Sequence, residues 1–462
     1  MSQLIVVSNR VSLPKSGQSA GGLAVALNDA LQDQGGIWMG WNAEQVADTQ
    51  HVQFSCQQYQ KVMYMTTPLT QIEYQSFYSG FSNNTLWPML HSRSDLIVEE
   101  AEQFKIYQEV NRRFAQQIAQ IAQPEDIIWV HDYHFLSLGK YCRELGLKNR
   151  IGFFLHIPFS AVQYWQQLNT AQILLTDLLE YDLIGLQTQA DQSTCLDVYK
   201  GILKANIQQN IVFHANRQTV VQNYPIGVNP KLIQKAAQGK QLKIEDYFDP
   251  CPSLAQPWII AAERVDYSKG ISERIDAIEA VLDEKHLYGS FATLQIACPC
   301  RMEVPVYERL YQQVNQRIAS INTRLASETW QPIYATNHMI PHADLMQLYR
   351  KSAVCWVNSC KDGMNLVAKE YIAAQDPQHP GVLILSKYAG AAEQMQQALI
   401  VDPHDINHLK KAVYQALTMS LSERISRYQA LIKGIYAEDI EHWRECFLND
   451  LKNEHLMNKN AV

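Results

Sequence analysis

The sequence predicts an α/β protein built as two doubly wound, Rossmann-like domains facing a cleft, and three observations predict it. Short apolar runs alternate with amphipathic helical patterns along most of the chain, as parallel strands and crossover helices do. The pattern pauses at "YPIGVNP" (224–230), with two prolines and a glycine, and then restarts. A chain of 462 residues that is 47% hydrophobic is also too long for one ordinary core, so two domains are expected.

In chain order, "LIVVS" (4–8), "IIWVH" (127–131), "IGFFLH" (151–156) and "LIGLQ" (183–187) read as buried strands closed by polar or glycine-bearing turns. Between them, "VNRRFAQQIAQIA" (110–122) puts Phe114, Ile118 and Ile121 on one helical face. The second set opens with the strand "PWIIAAE" (257–263) and the helix "SERIDAIEAVLDE" (272–284), for which Ser272 is the expected N-cap. The strands "ATLQIAC" (292–298), "PIYAT" (332–336), "AVCWVN" (353–358) and "GVLILS" (381–386) continue it. The turn Lys361-Asp362-Gly363 leads into a helix expected to start near Leu366, and the polar tail after Glu454 is expected to fray.

Composition excludes several classes. A net charge of −7 gives no electrostatic case for nucleic acid or an anionic membrane. No apolar run approaches the ~18 residues of a membrane span, and "MSQLIVVSNR" lacks the regions of a signal peptide. The nine cysteines are scattered, with one C-x-C and no C-x-x-C, which suits reduced thiols in a cytoplasmic protein. "HDYH" (131–134) offers no one-face geometry for a metal, and no metal site is expected.

Ligands of open α/β sheets bind beyond the carboxyl ends of the strands, and unusual residues collect there. "RVDYSKG" after one strand carries Arg264 and Lys269 with Asp266 between them. "SCKDGMNLVAKEY" after another leads to a helix mouth whose N–H groups and partial positive charge favour a phosphate, and Glu370, one turn in, is placed to accept from a ribose diol. Each residue alone is as well explained by a turn or a solvated charge; the set at two strand ends points to a nucleoside diphosphate. In the first half, Gly21-Gly22 in "SAGGLA" permits close backbone approach. Asp132 and His156, at neighbouring strand ends, suit hydroxyl binding or acid–base work, although a histidine in that position also fits a satisfied core. Trp41, Tyr78 and Trp87 are expected in polar loops, as core edges or as stacking partners of a sugar ring. Arg10 and Arg301 are expected to grip a second anion with their forked guanidiniums.

The motifs "SNR", "SAGGLA", "GW", "FSNNTLWP", "IIWVHDYHF", "NRIGFFLHIPF", "YPIGV", "ERVDYSKG", "KDGMNLVAKEY", "TMSLSERISRY" and "HWRECFLNDL" occur in that order. Together they resemble the bacterial trehalose-6-phosphate synthase family, from about residue 4 to residue 452. The resemblance implies the glycosyltransferase-B fold. Residues 1–228 would bind the acceptor, residues 229–439 would bind the nucleotide sugar, and a last helix over 440–455 would cross back onto the first domain. It implies a cytoplasmic glucosyltransferase of osmoprotective trehalose biosynthesis, moving glucose from UDP-glucose to glucose 6-phosphate with retention. No cofactor or metal is implied, and a homodimer or homotetramer is compatible with it. A related enzyme using ADP-glucose or glycerol 3-phosphate, or a sugar-phosphate sensor on the same fold, stays open beside it.

By the same resemblance, Arg264, Lys269 and Glu370 bind UDP with Gly21, Gly22 and the stretch Gly363, Met364, Asn365, Leu366 and Val367. Asp362 and His156 hold the donor glucose, and Asp132 contacts the acceptor sugar. Arg10, Trp41, Tyr78, Trp87 and Arg301 match the glucose 6-phosphate pocket. The catalytic set it implies is His156, Asp132, Arg264, Lys269 and Asp362. The sequence departs from the family pattern in three places. Gln163 falls where an acid is usual, Ala43 replaces a glycine, and Lys361 replaces an arginine.

Overall fold

The computed structural model describes residues 2–11, 13, 27, 31, 35–239, 242–253, 255–284 and 287–453. Gly21, Gly22 and the tail after Glu454 lie outside the described residues. The chain forms two compact units, residues 1–225 with 441–462, and residues 226–440.

Among the described residues the first unit carries a ten-stranded sheet. Its spatial order is Ser55–Tyr59, Val62–Thr70, Gly36–Val46, Leu4–Arg10, Ile127–His131, Arg150–Phe154, Leu183–Leu186, Arg217–Asn223, Ile211–His214 and Asn206–Gln208. The middle strands are parallel, and antiparallel hairpins close both edges. The apolar runs are buried because helices cover both faces: every residue of Ile127–His131 is buried. The helix predicted over 110–122 begins earlier, spanning Ala101–Ile121, with Phe114 and Ile118 buried and Ile121 at the edge of the apolar face.

The helix Ile440–Lys452 packs on this sheet. Phe447 stacks on Trp129 at 4.9 Å, and Trp443 lies 5.0 Å from the same ring. Two strand glycines make room for it. A Cβ on Gly152 would come within 2.8 Å of Phe447 and Leu451, and one on Gly185 within 2.7 Å of Phe447.

Among the described residues the second unit carries a six-stranded parallel sheet, ordered Ile333–Thr336, Ala292–Cys298, Trp258–Arg264, Val354–Val357, Val382–Ser386 and Leu399–Val401. The order reverses at the adjacent strands Trp258–Arg264 and Val354–Val357, which makes the space beyond their carboxyl ends the topological switch point. Both sequence-predicted loops, "RVDYSKG" and "SCKDG", start there.

Two local expectations are corrected. The helix expected to be capped by Ser272 begins at Ile271, with Gly270 at φ 63° before it and no side-chain cap. A Cβ at Gly270 would lie 2.1 Å from the Asn358 carbonyl, so the close docking of two loops fixes the helix start. The segment read as a polar loop over 78–88 is helical: a wide helix spans Tyr74–Leu86 and an α-turn spans Trp87–Leu90. Its polar residues misled because the segment is held by buried rings and apolar side chains, Phe77, Phe81 and Leu86, while Asn83 Nδ2 donates within it to the Tyr78 carbonyl at 2.8 Å. Trp41, also expected in a loop, lies in the strand Gly36–Val46 and is buried. Among the described residues, no helix is long and apolar enough to cross a membrane.

Candidate active site

At the switch point of the second unit, the two loops are tied by backbone. The N–H groups of Cys360 and Lys361 both donate to the Ser268 carbonyl, at 2.7 and 3.3 Å. This brings Lys269 to Asp362, with Nζ to Oδ2 at 2.6 Å and both side chains largely shielded from water. The Asp362 carboxylate also accepts from Ser359 Oγ at 3.2 Å and from Asn365 Nδ2 at 3.0 Å. Its backbone is clamped on both sides: its N–H donates to the Tyr388 carbonyl and its own carbonyl accepts from Gly390 N–H. Asp362 is thus held before any ligand arrives. Gly363 and Met364 are buried in the same turn, and the Met364 carbonyl accepts from Ala391 N–H at 2.8 Å.

The helix Leu366–Ala374 begins at this turn. Asn365 precedes it at φ 78°, and its side chain, engaged with Asp362 and Ser359, does not cap the helix. The first-turn N–H groups, with Leu366 and Val367 half-buried beside them, form an anion-seeking helix mouth facing the Lys269 loop. Arg264, at the end of its strand, is exposed.

Glu370 is buried on this helix, with His342 Nε2 4.0 Å from its carboxylate. Burial raises its pKa to about 7, from 4.5. The folded state therefore keeps a proton that the unfolded chain releases above 4.5, and stability contributed by this group falls as pH rises from 4.5 to 7. Glu370→Gln should remove that slope, stabilising the protein at about pH 8 and changing little below about pH 4.5. Denaturant melts at several pH values read it; a gain no larger at high pH than at low pH would contradict the assignment.

Arg301 does not extend freely towards a ligand. It is buried at φ 50°, with Nη1 3.4 Å from Asp266 Oδ2 and donating to Tyr307 Oη at 2.6 Å. Asp266 is inaccessible and accepts from Ser268 N–H at 2.9 Å, so the pair braces the turn that carries Lys269. Sequence alone makes Arg301 a candidate anion ligand; in this structure its Nη1 is engaged by Asp266 and Tyr307.

In the first unit, the strands Ile127–His131 and Arg150–Phe154 are neighbours, so Asp132 and His156 meet just beyond them. Asp132 has φ 73° and its carboxylate accepts from His156 N–H at 3.3 Å. The His156 ring shares a hydrogen bond with His131, Nε2 to Nδ1 at 3.0 Å, amid Phe154 and Trp443. Burial pushes His156 down to about 3 and His131 well below the usual histidine range. Both rings are therefore neutral, and His131 orients its neighbour. The sequence reading missed His131, which it met only in the unproductive "HDYH" spacing.

Arg10 is exposed at the end of its strand. Trp41 packs 5.6 Å from both Tyr74 and Tyr78, and Tyr78 is half-buried and stacks on His134. Trp87 is buried and stacked on His91 at 4.1 Å, which makes it a core-edge ring. Ala43 adopts φ 70°, a conformation that glycine takes without strain. Gln163 is exposed on the short helix Val162–Trp165.

The sequence profile of glycosyltransferase family 20 matches residues 5–453. The chain is 38% identical over 459 residues to the trehalose-6-phosphate synthase of Sodalis glossinidius (strain morsitans), covering 98% of this chain and 96% of that one. A solved Escherichia coli structure carrying UDP-2-fluoro glucose is similar at 38% identity and TM-score 0.92, over 98% of this chain and 99% of that one. A Burkholderia xenovorans alpha,alpha-trehalose-phosphate synthase (UDP-forming) in complex with glucose-6-phosphate matches at 37% identity and TM-score 0.93, over 98% and 100% of the two chains.

Proposed function

The chain belongs to glycosyltransferase family 20, and from that premise we propose that it transfers glucose from UDP-glucose to glucose 6-phosphate with retention, yielding alpha,alpha-trehalose 6-phosphate and UDP. The observation that carries the reading is the Lys269–Asp362 pair at the uncapped mouth of the helix Leu366–Ala374: a cation and backbone donors for a diphosphate beside a fixed carboxylate for a sugar.

In this reading the diphosphate lies against Lys269, Arg264 and the N–H groups of Leu366 and Val367. The ribose hydroxyls reach Glu370. On the second unit Asp362 takes hydroxyls of the donor glucose, and Arg301 is assigned to the acceptor phosphate. On the first unit neutral His156 and Asp132 take sugar hydroxyls, Arg10 offers a cation to a phosphate, and Trp41, Tyr78 and Trp87 are assigned to acceptor binding. The bond from the anomeric carbon to the UDP oxygen breaks while the acceptor hydroxyl bonds the same face of that carbon. The acceptor's proton passes to the departing phosphate oxygen. The side chains contribute orientation and charge: negative charge grows on the leaving oxygen, where Lys269, released from Asp362 by the bound donor, and the helix mouth stabilise it.

Incubating purified protein with UDP-, ADP- and GDP-glucose, each with glucose 6-phosphate or glycerol 3-phosphate, and identifying products by NMR tests the reading. Trehalose 6-phosphate formed fastest from UDP-glucose is expected; no disaccharide phosphate from any pair would overturn it. Because fixed protein cations serve the leaving group, activity should survive exhaustive EDTA treatment and removal of the chelator. Loss restored by one stoichiometric divalent ion would show that the leaving-group chemistry is otherwise. We assign the protein to the cytoplasm, with which its nine free thiols agree, and sedimentation would read whether it forms the dimer or tetramer.

A further inference from the structure

Around the nucleotide-sugar loops of the second unit, three residues distant in sequence converge. The ligating atoms of Glu273, Cys360 and His404 all lie within 4.8 Å of one another. Glu273 sits in the first turn of the helix Ile271–Leu282, Cys360 in the turn after Val354–Val357, and His404 beyond Leu399–Val401. Glu273 and Cys360 are half-buried and His404 is exposed. A carboxylate, a thiolate and an imidazole are the donor set of a borderline-soft divalent ion. The carboxylate and thiolate together neutralise a double positive charge. Tetrahedral bonds of about 2.0–2.3 Å place donor atoms roughly 3.5 Å apart, so closure needs no more than about an ångström of side-chain movement, which exposed His404 can supply.

We propose that Glu273, Cys360 and His404 bind one thiophilic divalent ion of the zinc class, with water as the fourth ligand, and that its occupancy stiffens the loops that receive the sugar nucleotide. Each ligand neighbours a group that fixes those loops. Cys360 is two residues before Asp362, and its N–H holds Ser268, next to Lys269. Glu273 follows Gly270, whose carbonyl accepts from Asn358 Nδ2 at 2.9 Å. His404 packs 6.0 Å from Tyr388, whose carbonyl holds the Asp362 N–H. An ion joining the three would oppose opening of the Lys269–Asp362 pair, which donor binding requires. The ion is a regulator of the reaction and not its Lewis acid. Cysteine must lose its proton on binding, so affinity rises with pH.

The test uses the full-length, EDTA-stripped protein titrated with Co²⁺ as a spectroscopic probe and with Zn²⁺. One equivalent of Co²⁺ should give a thiolate charge-transfer band and tetrahedral visible bands. The charge-transfer band should vanish in Cys360→Ser, and affinity should fall at least about tenfold in His404→Ala and in Glu273→Gln, in line with loss of a direct ligand. Cys446→Ser is the control, because Cys446 Sγ lies 3.5 Å from His442 Nε2 and is the rival thiol–imidazole pair; it should leave the band intact. The side chain of His404 is solvent-exposed, so that variant keeps the test usable if Cys360→Ser folds poorly. No band in wild type, a band that survives in Cys360→Ser, or a band lost in Cys446→Ser would each overturn the site. The kinetic half rests on the donor-site reading above. Zn²⁺ should raise KM for UDP-glucose several-fold in wild type and leave Cys360→Ser unaffected. Equal effects in both, or none in wild type despite the band, would overturn the coupling. Absence of any turnover in the metal-free protein would count against the donor reading and leave the spectroscopic result standing.

Discussion

Lys269→Ala should lower kcat/KM for UDP-glucose by about 10²–10³-fold, most of it in kcat. A charge-assisted hydrogen bond lost from a bound diphosphate is worth about 1.5–3 kcal/mol, and the interaction strengthens as the bond to the leaving oxygen breaks. Lys269 is placed for this because its loop leaves the sheet at the switch point and is tied to the Asp362 turn through Ser268. The fold should survive, since Asp362 keeps Ser359 and Asn365 as partners after its cation is gone. Lys269→Arg should recover part of the loss, limited by the different shape of the guanidinium. The measurement is steady-state kinetics together with calorimetric UDP binding. A variant within about threefold of wild type in both would remove Lys269 from the diphosphate site.

Arg301→Met should destabilise the second unit by about 3–5 kcal/mol, because it strips a facing cation from a buried carboxylate. Asp266 has 0% exposure and the guanidinium stands 3.4 Å from it. Adding Asp266→Asn should recover much of the stability, since the double variant no longer buries an unbalanced charge. Turnover should also fall, because Asp266 holds the Ser268 N–H just before Lys269. Chemical denaturation of the single and double variants reads the stability. Arg301 is also the residue assigned to the acceptor phosphate, so the ratio of activity with glucose 6-phosphate to activity with plain glucose should be measured on the same variants. A collapsed ratio with unchanged stability would make Arg301 a phosphate ligand and nothing more, and would refute the bracing role.

Nearly every strand of the second sheet was legible because its residues are mostly apolar in short runs, as burial on both faces favours. Val354–Val357 is wholly apolar, and Ala292–Cys298 keeps the signal despite buried Thr293 and Gln295. The start of the helix at Leu366 was legible from the Lys361-Asp362-Gly363 turn, a local signal. The segment Tyr74–Leu86 was misread because serine, glycine and asparagine mark a turn only when their polar groups have nowhere else to bond. Here buried rings hold the helix and Asn83 bonds within it.

The sequence by itself determined the class of each element, the switch from one sheet to the next, and the strand ends at which the charged and hydroxyl-binding residues collect. These follow from local periodicity and turn chemistry, which act over a few residues. Only the tertiary structure decided what each functional group faces. It paired Lys269 with Asp362, turned Arg301 inward onto Asp266, set His131 behind His156, buried Glu370 enough to raise its pKa to about 7, and drew Glu273, Cys360 and His404 together. The reason is physical. A side chain's charge state and partners depend on desolvation and on neighbours brought in by crossovers between strands, and no local stretch of sequence carries that information.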